Sequence, residues 1–232
     1  MKTIIISILF TAIFTMNSIA KEKPEIVYVF DPLCGWCYGF SPVILKAWET
    51  YKDEIDFKVI PGGMITGDRI AQIGTMAEFL KKATTTVSQR TGAEFSKKFL
   101  DTILTEGTHI LTSVEPSIAI AVYSSYAPEN LMPFIDALHK EIYVRGIKMD
   151  KPEDYEHIAL KFGIEPSEFI KNMKLDIYKK KAFDLFDKSS EYGVESYPTL
   201  LYKNANTVQV LAKGFLEWHK LKILLNDILS SR

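Results

Sequence analysis

The first internal apolar run is Ile26-Val27-Tyr28-Val29-Phe30, β-branched and aromatic with no polar alternation. Such a run predicts a strand buried on both faces, in a parallel or mixed sheet covered by helices. Asp31-Pro32-Leu33 ends it, and a helix is predicted over residues 34–51. Pro42 lies inside that helix, where a missing amide donor should kink it. Phe57-Lys58-Val59-Ile60 predicts a second strand, stopped by Pro61-Gly62-Gly63. From 66 to 192 the pattern is one of helices and connectors, with no strand. Ser113 is placed as an N-cap, with Pro116 early in a helix to 126. Further helices are predicted over 131–143 (ended near Gly146), over 152–162 (ended at Gly163), and over 166–192, the longest, ended at Gly193. Thr199-Leu200-Leu201-Tyr202 predicts a third strand. Asn204-Ala205-Asn206 supplies a turn into a fourth strand at 208–211, and the pair reads as a hairpin. A last helix, 216–229, sets Leu221, Leu224, Leu225 and Ile228 on one stripe.

The N-terminus changes the picture of where the protein works. Lys2 precedes an apolar stretch over 4–14, no charge follows until Lys21, and Ser18-Ile19-Ala20 closes the segment. A basic start, a short apolar region and a small-residue end predict a secretory signal peptide over 1–20, cleaved after Ala20. The run is shorter than the ~20 apolar residues of a membrane span. The expected compartment is periplasmic or extracellular, where disulfides persist. Cleavage removes one lysine and leaves 27 basic residues against 29 acidic. That balance argues against nucleic acid as a partner, which calls for a basic face. Hydrophobic residues at 47% and charged residues at 25% place the chain among ordinary globular proteins rather than disordered or fibrous ones.

The chain has two cysteines, Cys34 and Cys37, in Cys34-Gly35-Trp36-Cys37. After a buried strand and at a helix start, the first thiol sits where free N–H groups and the helix dipole favour negative charge. The thiolate is the attacking species. Cys34 is therefore the predicted nucleophile, and Cys37 the thiol that resolves a mixed disulfide. A structural disulfide remains an alternative, though so short a loop removes little chain entropy. So does a metal half-site, but zinc takes four ligands as a rule, there is no second C-x-x-C, and His109, His139, His157 and His219 form no ligand pair. No metal and no cofactor are expected. Far along the chain, Tyr197-Pro198 just before a strand is a candidate cis peptide bond.

Together these residues resemble a thioredoxin-superfamily thiol–disulfide oxidoreductase of the DsbA kind. Asp31-Pro32-Leu33-Cys34-Gly35-Trp36-Cys37, followed by Gly62-Gly63-Met64, is most similar to the FrnE-like branch. Pro42, eight residues after Cys34, matches the kinked active-site helix of thioredoxins. Val194-Glu195-Ser196-Tyr197-Pro198-Thr199 matches the cis-proline loop, with Ser196 where the family often has glycine. The resemblance implies an α/β, thioredoxin-like fold with a large all-helical insertion domain. Residues 21–65 and 193–232 would form the discontinuous thioredoxin-like domain, and 66–192 the insertion. It also implies that Pro198 packs beside the cysteines and that Tyr197 presents its backbone to a bound peptide. The family's buried carboxylate, six residues before the first cysteine, is here Tyr28. Asp31 is a substitute proton relay, or simply a turn former before Pro32.

Trp36, Tyr38, Phe40 and Tyr197 are expected to form an apolar surface for unfolded polypeptide, with Trp36 and Tyr197 as the leading substrate contacts. The expected partners are protein thiols and disulfides, plus a redox partner that resets the cysteine pair. The Gly-Trp dipeptide is nearer the small–aromatic pair of periplasmic isomerases than DsbA's Pro-His or thioredoxin's Gly-Pro. Only five residues separate the cleavage site from the first strand, so no dimerisation domain is expected, and a monomer is. Oxidase action or general disulfide exchange is favoured. Reductase or isomerase action by the same pair stays open, as does a copper- or peptide-binding module.

Overall fold

A computed structural model describes residues 23–204 and 207–231. The predicted signal segment and its cleavage site lie outside the described residues, as do two residues of the predicted hairpin turn. At the centre is a mixed four-stranded sheet in the order β2-β1-β5-β6. Strand β1 (Glu25–Phe30) runs parallel to β2 (Asp56–Pro61), with helix α1 (Gly35–Tyr51) as the crossover between them. It runs antiparallel to β5 (Thr199–Asn204), which pairs antiparallel with β6 (Thr207–Lys213).

The alternation of strand side chains divides β1 between two cores. Ile26, Tyr28 and Phe30 enter the large core that α1 covers. Val27 and Val29 join Ile60 and Leu201 in a smaller core on the opposite face. Both faces are closed, which is why the run carries no polar alternation.

Between β2 and β5 come β3 (Ala71–Gln72), α2 (Ala77–Thr91), a π-helical turn at Lys98–Ile103 continued by the short α3 (Leu104–Glu106), and β4 (Ile110–Leu111). They are followed by α4 (Val114–Tyr123), α5 (Leu131–Lys140), α6 (Glu156–Lys161), α7 (Pro166–Met173) and α8 (Asp176–Glu191). Helix α9 (Trp218–Ser230) ends the fold and buries Leu221, Leu225 and Ile228, while Leu224 is half-buried at the edge of the stripe.

The block between the sheet strands is not all-helical. β3 and β4 form an antiparallel ladder that pairs Ala71 with Leu111 and Gln72 with Ile110. Two-residue strands are too short to leave a period of two in the sequence. The helix expected over 166–192 is two helices, because Leu175 takes an extended conformation (φ −84°, ψ 132°) and starts α8 afresh. The helix expected over 131–143 runs as α5 and then widens into a π turn at Glu141–Arg145 before Gly146. The segment 152–162 opens as a 3-10 turn at Pro152–Tyr155 and becomes α-helical only at α6.

Helix α8 packs against β2, and its Leu185 meets the smaller core of the sheet. The large core runs continuously from β1 into α4, α5 and α7. The block 66–192 therefore covers both faces of the sheet and shares its core.

Candidate active site

Cys34 is the N-cap of α1, in extended conformation (φ −82°, ψ 109°). The amide of Cys37 donates to Cys34 Sγ at 3.4 Å. No acidic side chain sits in the first turn to oppose the dipole there. The Cys34 thiol in turn donates to the Tyr197 carbonyl at 3.5 Å. Both cysteines are free thiols; Cys34 keeps about 7% exposure and Cys37 none. Burial pushes the Cys37 thiol well up, and its hydrogen bond with Cys34 adds to this. The pair is thus asymmetric: one sulfur faces the surface, and the other is held protonated behind it.

The Tyr197-Pro198 bond is cis, and Pro198 is tied to the end of β6 by the Gly214 amide at 2.8 Å. The Tyr197 hydroxyl donates to the Gly62 carbonyl at 2.9 Å. The two glycines after β2 have separate reasons. A methyl group on Gly62 would overlap the Tyr197 ring. Gly63 has φ +66° and lies under the Phe186 ring. The next residue, Met64, then turns its amide inward.

That amide meets Asp31, which is fully buried. Met64 N donates to Oδ2 at 2.7 Å, while Leu33 N and Ser113 Oγ donate to Oδ1 at 2.9 and 2.8 Å. The Asp31 carbonyl also accepts from Cys34 N at 3.0 Å. Asp31 thus both forms the turn before the active-site helix and places a carboxyl in the interior beside Cys37. Burial raises it from the usual 3.8 to about 6, and the three hydrogen bonds hold it from rising further. Ser113 stands at the N-cap position of α4, yet its hydroxyl caps nothing. The same oxygen accepts from Ile65 N at 3.0 Å. Buried Asp31 was the stronger claim on it.

His139 of α5 lies near the Asp31 backbone, stacked on Tyr143, tilted against Tyr38 and edge-on to Phe30. It is fully buried, and neither ring nitrogen finds a partner. Burial lowers it from 6.5 to about 4, so it is neutral at physiological pH. Tyr28, at the position six before Cys34, is buried beside the cysteines, and burial raises its pKa far above the ordinary phenol range.

The expected aromatic surface divides in two. Trp36 and Tyr197 are half-buried near Cys34. Tyr38 and Phe40 are not on the surface. Tyr38 is buried against Phe95 and Tyr143 with its hydroxyl on the Glu94 carbonyl at 2.7 Å, and Phe40 is fully buried against Tyr28 and Phe215. Tyr38, two residues after Trp36, points to the other side of α1, whereas Phe40, four residues after it, shares its side and is buried because Phe215 covers it. Beside Cys34 opens an apolar cavity of about 480 Å³, bounded by Leu33, Gly35 and Trp36 on one side and by α2 on the other. A more polar groove also reaches Cys34; it shares Met64 and Arg69 with the cavity and adds Asp187, Ser190, Glu195 and Ser196 beside Phe183 and Phe186.

Sequence reasoning missed Ser113 as an Asp31 partner and Met76, Phe79 and Leu80 as cavity walls. Gly62-Gly63-Met64 held the one available hint, since a pair of glycines marks a backbone that must approach something closely.

Comparison with known proteins agrees with this geometry. The family model described as thioredoxin matches residues 28–221. A candidate protein disulfide isomerase from Nitrosomonas europaea is similar in structure, with 25% identity, a TM-score of 0.79, and coverage of 91% of this chain and 100% of that one. The cytosolic disulfide reductase DsbM from Pseudomonas aeruginosa shares the fold, at 20% identity and a TM-score of 0.74, over 90% of this chain and 100% of that one. In sequence, the ClpXP adapter protein SpxH of Halalkalibacterium halodurans is 22% identical, over 90% of this chain and 69% of its own length.

Proposed function

Because the chain belongs to the thioredoxin family, as a DsbA-like thiol–disulfide oxidoreductase, we propose that it exchanges a Cys34–Cys37 disulfide with protein thiols outside the cytosol. The observation that carries this reading is the asymmetry of the pair. Cys34 caps a helix N-terminus with the Cys37 amide donating to its sulfur, and Cys37 is sealed behind it.

In the oxidising direction, a client thiolate attacks Cys34 Sγ. The Cys34–Cys37 bond breaks, and Cys37 leaves as a thiolate. That thiolate is buried and must be protonated, and Asp31, with its pKa near 6, is the adjacent group able to hold and give the proton. A second client thiolate then attacks the mixed disulfide and releases Cys34 as the thiolate. Two electrons pass from client to enzyme, and a redox partner must remove them. Pro198 holds the Tyr197 carbonyl beside Cys34, while Trp36 and Tyr197 flank the sulfur as contacts for the client chain. Reduction runs these steps in reverse: the Cys34 thiolate attacks a client disulfide, and Cys37 then attacks Cys34 and releases the client thiol; in isomerisation a client thiolate releases Cys34 instead. Placement in the FrnE-like branch rests on the Asp31-to-Cys37 motif with Gly62-Gly63-Met64.

The extracytoplasmic location rests on the basic, apolar and small-residue pattern of residues 1–20. N-terminal sequencing of the protein isolated from the native cell should begin at Lys21; a retained Met1 would overturn the cleaved signal peptide. The direction of flux is read by the equilibrium potential of the pair in glutathione buffers. A value near the ~−120 mV of a strong oxidant supports disulfide donation to clients, and one near ~−270 mV supports reduction. A pair that does not equilibrate with glutathione at all would end the exchange reading.

A further inference from the structure

We propose that the cavity beside Cys34 is a specificity pocket for one large apolar side chain, aromatic by preference, carried by the residue next to the client's cysteine. The proposal rests on Cys34 being the exchanging sulfur and names the class of client it serves. The argument begins with position. Cys34 and Gly35 are themselves part of the cavity wall. A client sulfur bonded to Cys34 has its neighbouring residue only ~3.8 Å further along the backbone. The side chain on one flank of the client cysteine therefore falls at the cavity mouth, with no second docking contact needed.

The lining decides which side chain. Trp36, Phe79, Phe95, Phe99 and Tyr143 contribute five rings, and Met64 and Met76 contribute sulfurs. Rings and thioethers pack favourably on an incoming aromatic beyond simple area burial. The buried hydroxyl in the wall, Thr84, is already spent on the Lys81 carbonyl at 3.0 Å. Arg69, the charged group in the lining, is exposed at its edge and donates to the Gly63 carbonyl at 3.2 Å, so a polar side chain entering past the rings would lose water and gain little in return. The volume of about 480 Å³ lies within the ~300–1,000 Å³ of sites that enclose small ligands.

The mouth carries a second sign. Phe79 is 63% exposed and Met76 is 38% exposed, side by side at the start of α2. Large apolar groups left in water beside an apolar cavity mark a surface that another chain covers. The second groove at Cys34 sets Asp187, Ser190, Glu195 and Ser196 among Phe183, Phe186 and Tyr197, so an apolar side chain there meets polar and charged groups as well as rings. The preference should therefore be one-sided.

The test uses the full chain, oxidised, and two series of short peptides. One places X immediately before the cysteine and the other immediately after, with X as Phe, Leu, Ala or Asp. Rates of mixed-disulfide formation should favour Phe over Ala by about tenfold or more on one flank and by little on the other. Ala83→Phe, which fills the cavity from α2, should bring that ratio close to one. Phe79→Ala, at an exposed position where folding is not at stake, should lower it. Ratios within twofold on both flanks would overturn the proposal, as would a preference that survives both substitutions. A dimer held through Phe79 would also overturn it, by giving the pocket to a second copy. Dithiothreitol exchange by the unsubstituted protein separates the two readings. A flat peptide series with normal dithiothreitol exchange removes the pocket alone, while absent exchange removes Cys34 as the reacting sulfur.

Discussion

The sheet, helix α1 and the loops beside them hold every group proposed to react, both sulfurs and the Asp31 carboxyl, together with the Tyr197 carbonyl that accepts from Cys34. The helical block holds none of them. It supplies the Ser113 hydroxyl to Asp31, the buried His139 near the Asp31 backbone, and the α2 wall of the apolar cavity. Reactive groups are placed by backbone constraints, a helix N-terminus and a cis-proline turn. The groups that tune and select are placed by side chains packed from the other half. The two buried titratable groups at this junction make the contrast sharpest. Asp31 is pushed up and His139 is pushed down by the same dry surroundings.

The largest effect that sharpens this division is loss of the sulfur. Cys34→Ser should abolish mixed-disulfide formation, whereas Cys37→Ser should trap the mixed disulfide with client; both are read by gel shift under non-reducing conditions. Substantial trapping through Cys37 in Cys34→Ser would reverse the assigned roles.

Next comes the acid. Asp31→Asn should slow exchange about 100-fold at pH 7, the low end for lost acid–base help. The inflection near pH 6 in the rate profile should vanish with it. An inflection that persists would assign it to another group.

The two titratable groups should then pull stability in opposite directions. Asp31 has a raised folded pKa, so its contribution is present below about 4 and lost as pH rises through about 6. His139 has a lowered folded pKa, so its contribution is present above 6.5 and lost as pH falls through about 4. Each amounts to roughly 3 kcal/mol across that window. Relative to the unsubstituted protein, His139→Leu should gain stability as pH falls from 7 to 4. Asp31→Asn should gain it as pH rises over the same range. Urea unfolding of the reduced proteins at both pH values measures each difference. Two slopes of the same sign would break the pairing.

The smallest effect tests the bridge between the halves. Ser113→Ala removes one donor to the carboxyl and leaves the Ile65 amide unpaired, at a cost of about 1–3 kcal/mol. The rate inflection should move above 6, because a hydrogen bond that favours the charged form is gone. An unmoved inflection with lower stability would make Ser113 a purely structural residue.

Local patterns were enough for the sulfur chemistry. An apolar run closed on both faces, a C-x-x-C at a helix start and a proline before a strand each depend on neighbours within a few residues, so Cys34, Cys37 and the Tyr197-Pro198 turn were legible. The same local view put Tyr38 and Phe40 on the surface, joined α7 to α8 and missed the β3–β4 ladder. In each case the outcome depends on what packs against the segment. Tyr38 is covered by Phe95 and Tyr143 from the helical block, and Phe40, on the same side of α1 as Trp36, by Phe215 from beyond β6.

Asp31 shows the boundary most clearly. Its chain position marks it as a turn former, and the turn is there. Whether it is also an acid that can hold a proton near neutrality depends on burial and on donors from Met64 and Ser113, 33 and 82 residues away. Short-range geometry is written into the order of residues, because backbone angles and hydrogen bonds act between near neighbours. Dehydration, cavity shape and the pKa of a buried group arise only when distant segments exclude water together. For this protein, that means the sequence by itself determined the cysteine pair at the start of α1 and the strands around it. Only the tertiary structure decided the state of the acid and the shape of the pocket.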